Sequence, residues 1–165
     1  MRFAKEKNSP DIYELYKKNR KIFPNITMGH ITNRIKKREC IYTEGVVIIF
    51  RILQKTVQIG NNTKCQKSDC ILNQIVTSFS NGSGSRNLNR FFDYIGSLPH
   101  ASGVMHLSVR SDNDRAKKFF ERNEMELVDK TSWDKGKIEG DVYRKIVKGD
   151  ACLLYTSPSP RDSGQ

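Results

Sequence analysis

No apolar run in this chain of 165 residues approaches the roughly 20 needed to cross a bilayer. The opening Met1-Arg2-Phe3-Ala4-Lys5-Glu6-Lys7 has no apolar segment of the kind that marks a secretory leader. Cysteine is scarce as well. Cys40, Cys65, Cys70 and Cys152 include no Cys-x-x-Cys pair, and no closely spaced histidines accompany them. A tetrahedral zinc centre usually shows such pairs, so no metal is expected and the thiols read as free in a reducing compartment. Acidic residues are outnumbered, with 18 Asp and Glu against 29 Lys and Arg, a net charge of +11. The length suits one ordinary domain.

The positive surplus predicts attraction to polyanions and phosphate-rich molecules. It is densest early, where Lys17-Lys18, Arg20-Lys21 and Lys36-Lys37-Arg38 cluster. Nucleic acid is thereby permitted as a partner. No helix-turn-helix, zinc finger or RNA-recognition strand supports it by motif, and no membrane partner is expected.

Apolar spacing divides the chain. Ser9-Pro10 reads as a helix opening, with Ser9 as cap. Ile12, Leu15, Tyr16, Ile22 and Phe23 follow at mostly helical spacing until Pro24 interrupts. Met28, Ile31 and Ile35 predict a second helix. Gly45–Leu53 reads as a central strand buried on both faces, with Thr56–Ile59 as its hairpin partner. Cys70–Thr77 predicts a strand. Leu88, Phe91, Phe92 and Ile95 predict an amphipathic helix ended by Gly96. Val104–Val109 predicts a strand, and Ser111, Asp112 and Asn113 offer caps for a helix carrying Ala116, Phe119 and Phe120. Leu127–Val128 and Val142–Val147 read as late strands. Phe91, Phe92, Phe119 and Trp133 read as core. The order implies an α/β fold with a mixed sheet in a single domain over 1–150. Residues 151–165 read as a separate disordered tail. Within it, Cys152–Asp162 resembles the conceptual translation of a sequencing-library adapter, and its two Ser-Pro steps predict no regular structure.

The stretch Ile75-Val76-Thr77-Ser78-Phe79-Ser80-Asn81-Gly82-Ser83-Gly84-Ser85-Arg86 carries the chemistry. It reads as a buried strand, a loop with two glycines and a helix start. A helix N-terminus presents backbone N–H groups and the positive end of the helix dipole, and glycines let a diphosphate approach them. No Gly-Lys-Ser/Thr follows, so it is not a Walker A loop. Asn87 stands where a dinucleotide fingerprint needs its third glycine.

These residues resemble the GCN5-related N-acetyltransferase (GNAT) superfamily, and within it small acetyltransferase-like proteins of tailed phages. The family's Arg/Gln-x-x-Gly-x-Gly/Ala loop is matched by Phe79-Ser80-Asn81-Gly82-Ser83-Gly84 at both small positions, with Phe79 in place of Arg/Gln. Its Asn-x-x-Ala-x-x-Phe-Tyr helix start is matched by Asn113, Ala116 and Phe119, with Phe120 in place of tyrosine. Glu124-Met125 stands where Gly-Phe is usual. Glu44-Gly45-Val46-Val47-Ile48 and Gly140-Asp141-Val142-Tyr143-Arg144-Lys145 add to the likeness, which spans roughly residues 1–148.

The resemblance implies a sheet of about six or seven strands with helices on both faces. It implies an acyltransferase moving an acetyl group from acetyl-CoA to an amine, on a small molecule or a protein, by direct attack. The backbone of Ile75, Val76 and Thr77 would pair with the pantetheine arm. The amides of Asn81, Gly82, Ser83, Gly84 and Ser85 would hold the pyrophosphate. Asn113 would touch the cofactor, and Arg86 its ribose phosphate. Phenylalanine at 120 cannot protonate the departing thiolate, so a binding protein without turnover is the alternative. A basic nucleic-acid-binding module is the third reading. Glu44, His106 and Tyr143 are candidates for the base by residue type alone, and the catalytic residues are left unassigned. A cytoplasmic location is expected, the host's if the chain is of phage origin.

Overall fold

The computed structural model describes residues 1–78 and 82–148. The strands are β1 (Cys40–Thr43), β2 (Val46–Ile52), β3 (Val57–Gln58), β4 (Lys64–Cys65), β5 (Cys70–Thr77), β6 (Val104–Arg110), β7 (Glu126–Trp133) and β8 (Ile138–Ile146). The α-helices are α1 (Ser9–Lys18), α2 (Met28–Lys36), α3 (Ser83–Ser97) and α4 (Asp114–Arg122). Six strands form one mixed sheet in the order β1-β2-β5-β6-β8-β7, and β3 and β4 form a separate ladder. This is an α/β fold, at the lower end of the strand number expected. No described helix is long and apolar enough to cross a membrane.

Contacts gather into two compact units. One holds Met1–Arg51 with Leu72–Phe91, the other Ile52–Ile71 with the described residues from Phe92 onward.

The first unit is built on a tight hairpin. Thr43 faces Val46 across Glu44 and Gly45, with φ of 55° and 72°. Positive φ at both central residues is the mark of a type I′ turn, whose twist matches that of the flanking strands. So the partner of β2 is β1, not Thr56–Ile59 as the sequence suggested. Val57–Gln58 instead pairs with Lys64–Cys65 across the Gly60–Asn62 turn. Val46 to Phe50 are all buried, as expected of a strand covered on both faces. Val47 and Ile49 join Ile12, Leu15 and Tyr16 of α1 and Ile31 and Ile35 of α2 in one cluster. Phe50 instead packs edge-on against Phe91, with ring centroids 5.0 Å apart. Burying a side chain of this size contributes roughly 1.5–3 kcal/mol.

Helix boundaries follow local chemistry. Asn8, not Ser9, is the N-cap of α1, and the helix ends at Lys18, well before Pro24. Thr27 caps α2 by accepting from the His30 N–H. Gly96 does not end α3, which runs on to Ser97. A Cβ at Gly96 would stand 2.5 Å from the Val147 carbonyl oxygen, so close packing fixes that glycine.

In the second unit, Cys70 and Ile71 pair in parallel with Met105 and His106. The β6–β8 ladder is antiparallel from Val104↔Ile146 to Arg110↔Gly140, and β7 pairs antiparallel with β8. Strand β7 is longer than the two residues the sequence marked, and β8 starts earlier. Trp133 is 38% exposed, so it is not core. Its ring lies over Gly140, where a Cβ would meet it at 2.6 Å.

Candidate functional site

The strand and the helix that the sequence singled out are present, but Gly84 falls inside the helix and not in the loop before it. Strand β5 ends at Thr77 with Val76 buried and Ile75 and Thr77 half-buried. The Ser78 N–H donates to the Gly45 carbonyl at 3.2 Å, tying the strand end to the β1–β2 turn. Phe79, Ser80 and Asn81 lie outside the described residues. Gly82 is exposed with φ of +85°, and the position of a Cβ there has nothing within 4 Å. That backbone region suits glycine. Helix α3 starts at the next residue, and the Arg86 N–H donates to the Gly82 carbonyl at 3.0 Å. Ser83, Gly84 and Ser85 therefore form the first helical turn, at the positive end of the dipole. Gly84 is buried.

A polar hub sits at this helix start. The Glu44 carboxylate accepts from Asn87 Nδ2 at 3.0 Å, from Arg86 Nε at 3.4 Å and from an Arg90 guanidinium nitrogen at 3.3 Å. The hydrogen bonds from Asn87 and Arg86 hold it below the usual carboxylate range. A carboxylate so held is a weaker base. Two guanidiniums against one carboxylate leave a net positive charge beside the first turn of α3. Sequence reasoning named Arg86 there but missed Arg90 and Asn87. Their spacing along α3 was the available signal, since residues three and four apart share a helix face.

The other base candidates are enclosed. The Tyr143 hydroxyl donates to Glu121 Oε2 at 2.7 Å and the side chain is fully buried. Burial first, then Glu121, push its phenol well above the ordinary range. Its ring packs tilted against Phe120 at 6.2 Å. His106 is buried in β6, and burial lowers its pKa. Among the described residues it forms one cluster of metal-ligating types with Cys65 and Asp69, one ligand atom from each within 4.8 Å of the others. Both Asp69 carboxylate oxygens are already used, one accepting from the Gln66 N–H at 2.7 Å and one from the Ser102 hydroxyl at 2.6 Å. Cys40, Cys65 and Cys70 are buried, and burial pushes the Cys40 thiol up to about 12.

Asn113 is the N-cap of α4, its Oδ1 accepting from the Ala116 N–H at 3.2 Å. Beside that helix start lies a second carboxylate hub. Asp141 receives the Ser111 hydroxyl at 2.7 Å, the Lys130 ammonium at 2.7 Å and the Lys117 ammonium at 3.0 Å. Burial alone would raise its pKa, but these three partners outweigh it and hold it at about 2.

No protein-family model matches the chain, and no curated protein does. Solved structures do. A GNAT-family acetyltransferase from Streptococcus pneumoniae superposes with a TM-score of 0.64 at 13% identity, over 88% of this chain and 96% of that one. A putative acetyltransferase from Salmonella typhimurium, solved with acetyl-CoA, gives 0.65 at 11% identity, over 90% and 93%. Arabidopsis thaliana Naa50, in complex with a bisubstrate analogue, gives 0.59 at 17% identity, over 86% and 94%. The chain therefore has the fold of the GNAT acetyltransferases, as the paired motifs after β5 and β6 implied.

Proposed function

We propose that this protein is an N-acetyltransferase that takes its acetyl group from acetyl-CoA and gives it to an amine. The observation that carries the reading is Gly82 together with the start of α3. Gly82 holds a left-handed backbone beside open space, immediately before a helix start flanked by Arg86 and Arg90. Backbone amides there suit a diphosphate, and two arginines with a single shared carboxylate suit further phosphate charge. Solved proteins of this fold bind acetyl-CoA or a CoA-containing analogue.

In this reading the backbone of Ile75, Val76 and Thr77 pairs with the pantetheine arm. Gly82, Ser83, Gly84 and Ser85, with Asn81, hold the pyrophosphate. Asn113 caps α4 through its Oδ1, a role that does not exclude contact with the cofactor. The acceptor ammonium loses a proton, its nitrogen attacks the thioester carbonyl carbon and gives up a second proton, and the C–S bond breaks. The acetamide and CoA thiolate result, and the thiolate takes up a proton. Backbone N–H groups of β5 would stabilise the developing oxyanion. Phe120 cannot supply the thiolate's proton, which leaves water as the donor.

Release of free CoA thiol over a panel of amines tests the reading. Amine-dependent release is expected. Phe120 also favours a second reading, a binding protein of this fold without turnover. Acetyl-CoA binding with no thiol release for any amine would establish that version and end the first.

A further inference from the structure

The first unit contains a cavity of about 470 Å³ that the cofactor reading does not use. It is lined from α2, β2 and β5, and its size falls in the range of small-molecule sites. Arg51, near the end of β2, and Asn73, in β5, face it. The Arg51 Nε is buried with no hydrogen-bond partner among the described residues, and so is the Asn73 Oδ1. One is an obligate donor on a permanent cation, and the other is an acceptor. A buried polar atom left unpaired costs about 1–3 kcal/mol, so a cavity that holds one of each is shaped for a ligand that supplies both partners.

The charge around them decides what that ligand is. Arg34 and Glu39 line the cavity and neutralise each other in a 2.8 Å pair. Arg51 and Lys37 remain, so the cavity carries a positive surplus. Neighbouring Gln74 is already committed, its Oε1 accepting from the Tyr16 hydroxyl at 2.6 Å. Asn73 Oδ1, with no partner among the described residues, is an amide acceptor open to a donor group of the ligand.

From this we infer that the cavity binds an amine that also carries an oxyanion, a carboxylate or a phosphate. Arg51 takes the oxyanion and Asn73 Oδ1 takes the ammonium. The inference rests on the acetyl-transfer reading only in making this amine the acceptor. Asn73 and Gln74 immediately precede Ile75 on β5, so the ammonium is held on the same strand that would carry the thioester. The charge surplus that suggested nucleic acid becomes, in this cavity, a selector for a small acidic amine.

Thermal shift and calorimetry on the full chain test it with four probes. These are O-phosphoethanolamine, β-alanine, ethanolamine and propionate. At least one of the first two should bind, and which one does identifies the oxyanion as phosphate or carboxylate. Ethanolamine and propionate, each lacking one charged end, should bind at least tenfold more weakly. Arg51→Gln should weaken the preferred probe at least tenfold, and Arg51→Lys should recover part of that loss. Acetyl-CoA titration of the Arg51→Gln protein reports whether it is folded and competent at the other site. Equal binding of ethanolamine, binding undisturbed by Arg51→Gln, or failure of both oxyanion-bearing amines on folded protein would each overturn the inference. If a probe binds but acetyl-CoA does not, the acetyl-transfer reading fails and the cavity assignment stands.

Discussion

The starts of α3 and α4 use the same device in opposite settings. Each follows a strand of the mixed sheet, and each has a carboxylate that gathers two cations and one neutral donor. At α3 the carboxylate is Glu44, with Arg86, Arg90 and Asn87. At α4 it is Asp141, with Lys117, Lys130 and Ser111. The Glu44 side chain is 42% exposed and the Asp141 side chain 1%. Solvent screens the first hub and lets its partners exchange. The second is desolvated, so its partners are needed to keep the charge there. Phosphate oxygens can therefore compete with Glu44 for its arginines, whereas nothing competes for Asp141. One hub is suited to a ligand and the other to holding the fold.

The difference can be broken first at the buried end. Asp141→Asn leaves two ammonium groups facing a neutral amide. We expect a loss of about 2 kcal/mol in unfolding free energy, below the usual cost of splitting a buried pair because Lys130 is largely exposed. Chemical denaturation measures it. The same carboxylate gives an acid signature. Its folded pKa, about 2, lies below the ordinary 3.8, so its stabilisation is full above that ordinary value. It is lost as pH falls toward about 2. Asp141→Asn should flatten the stability profile in that window, and an unchanged profile would assign the acid sensitivity elsewhere.

At the exposed end the effects fall on binding. Gly82→Asn tolerates a left-handed backbone better than a branched residue and places a side chain in the open space before α3. Acetyl-CoA affinity should drop about tenfold, roughly 1.4 kcal/mol, with little change in melting temperature. Gly84→Val should abolish binding, but Gly84 is buried, so its melting curve must be read alongside. The smallest effect is expected for Glu44→Gln. Removing the carboxylate releases Arg86 and Arg90, and acetyl-CoA should bind a few-fold tighter with a steeper loss in salt. Weaker binding would show that Glu44 orders the arginines rather than occupying them.

Legibility in the sequence tracked how far each signal was local. The continuous apolar run of β2, the helical spacing of Leu88, Phe91, Phe92 and Ile95, and the Asn113 cap were all readable. The β1–β2 hairpin was missed because Glu44-Gly45 is a weaker turn signal than Asn-Gly, and the four residues of β1 carry little pattern. Strand β7 was mostly missed because a register shift between Leu127 and Asp129 disrupts its alternation and its outward residues are polar. At the candidate site the end of β5 and the helix after it were readable, whereas Gly84, read as part of the loop, lies inside α3. The Glu44 hub was not readable, because it joins residues 42 to 46 positions apart. The Arg51–Asn73 cavity was equally invisible, since neither residue lies in a motif and only folding leaves their polar atoms unpaired.

Calorimetric titration of the full chain with acetyl-CoA tests the central claim most directly. A saturable one-to-one isotherm, weakened about tenfold by Gly82→Asn, is the predicted result. A flat titration on protein whose melting curve shows it folded would contradict it.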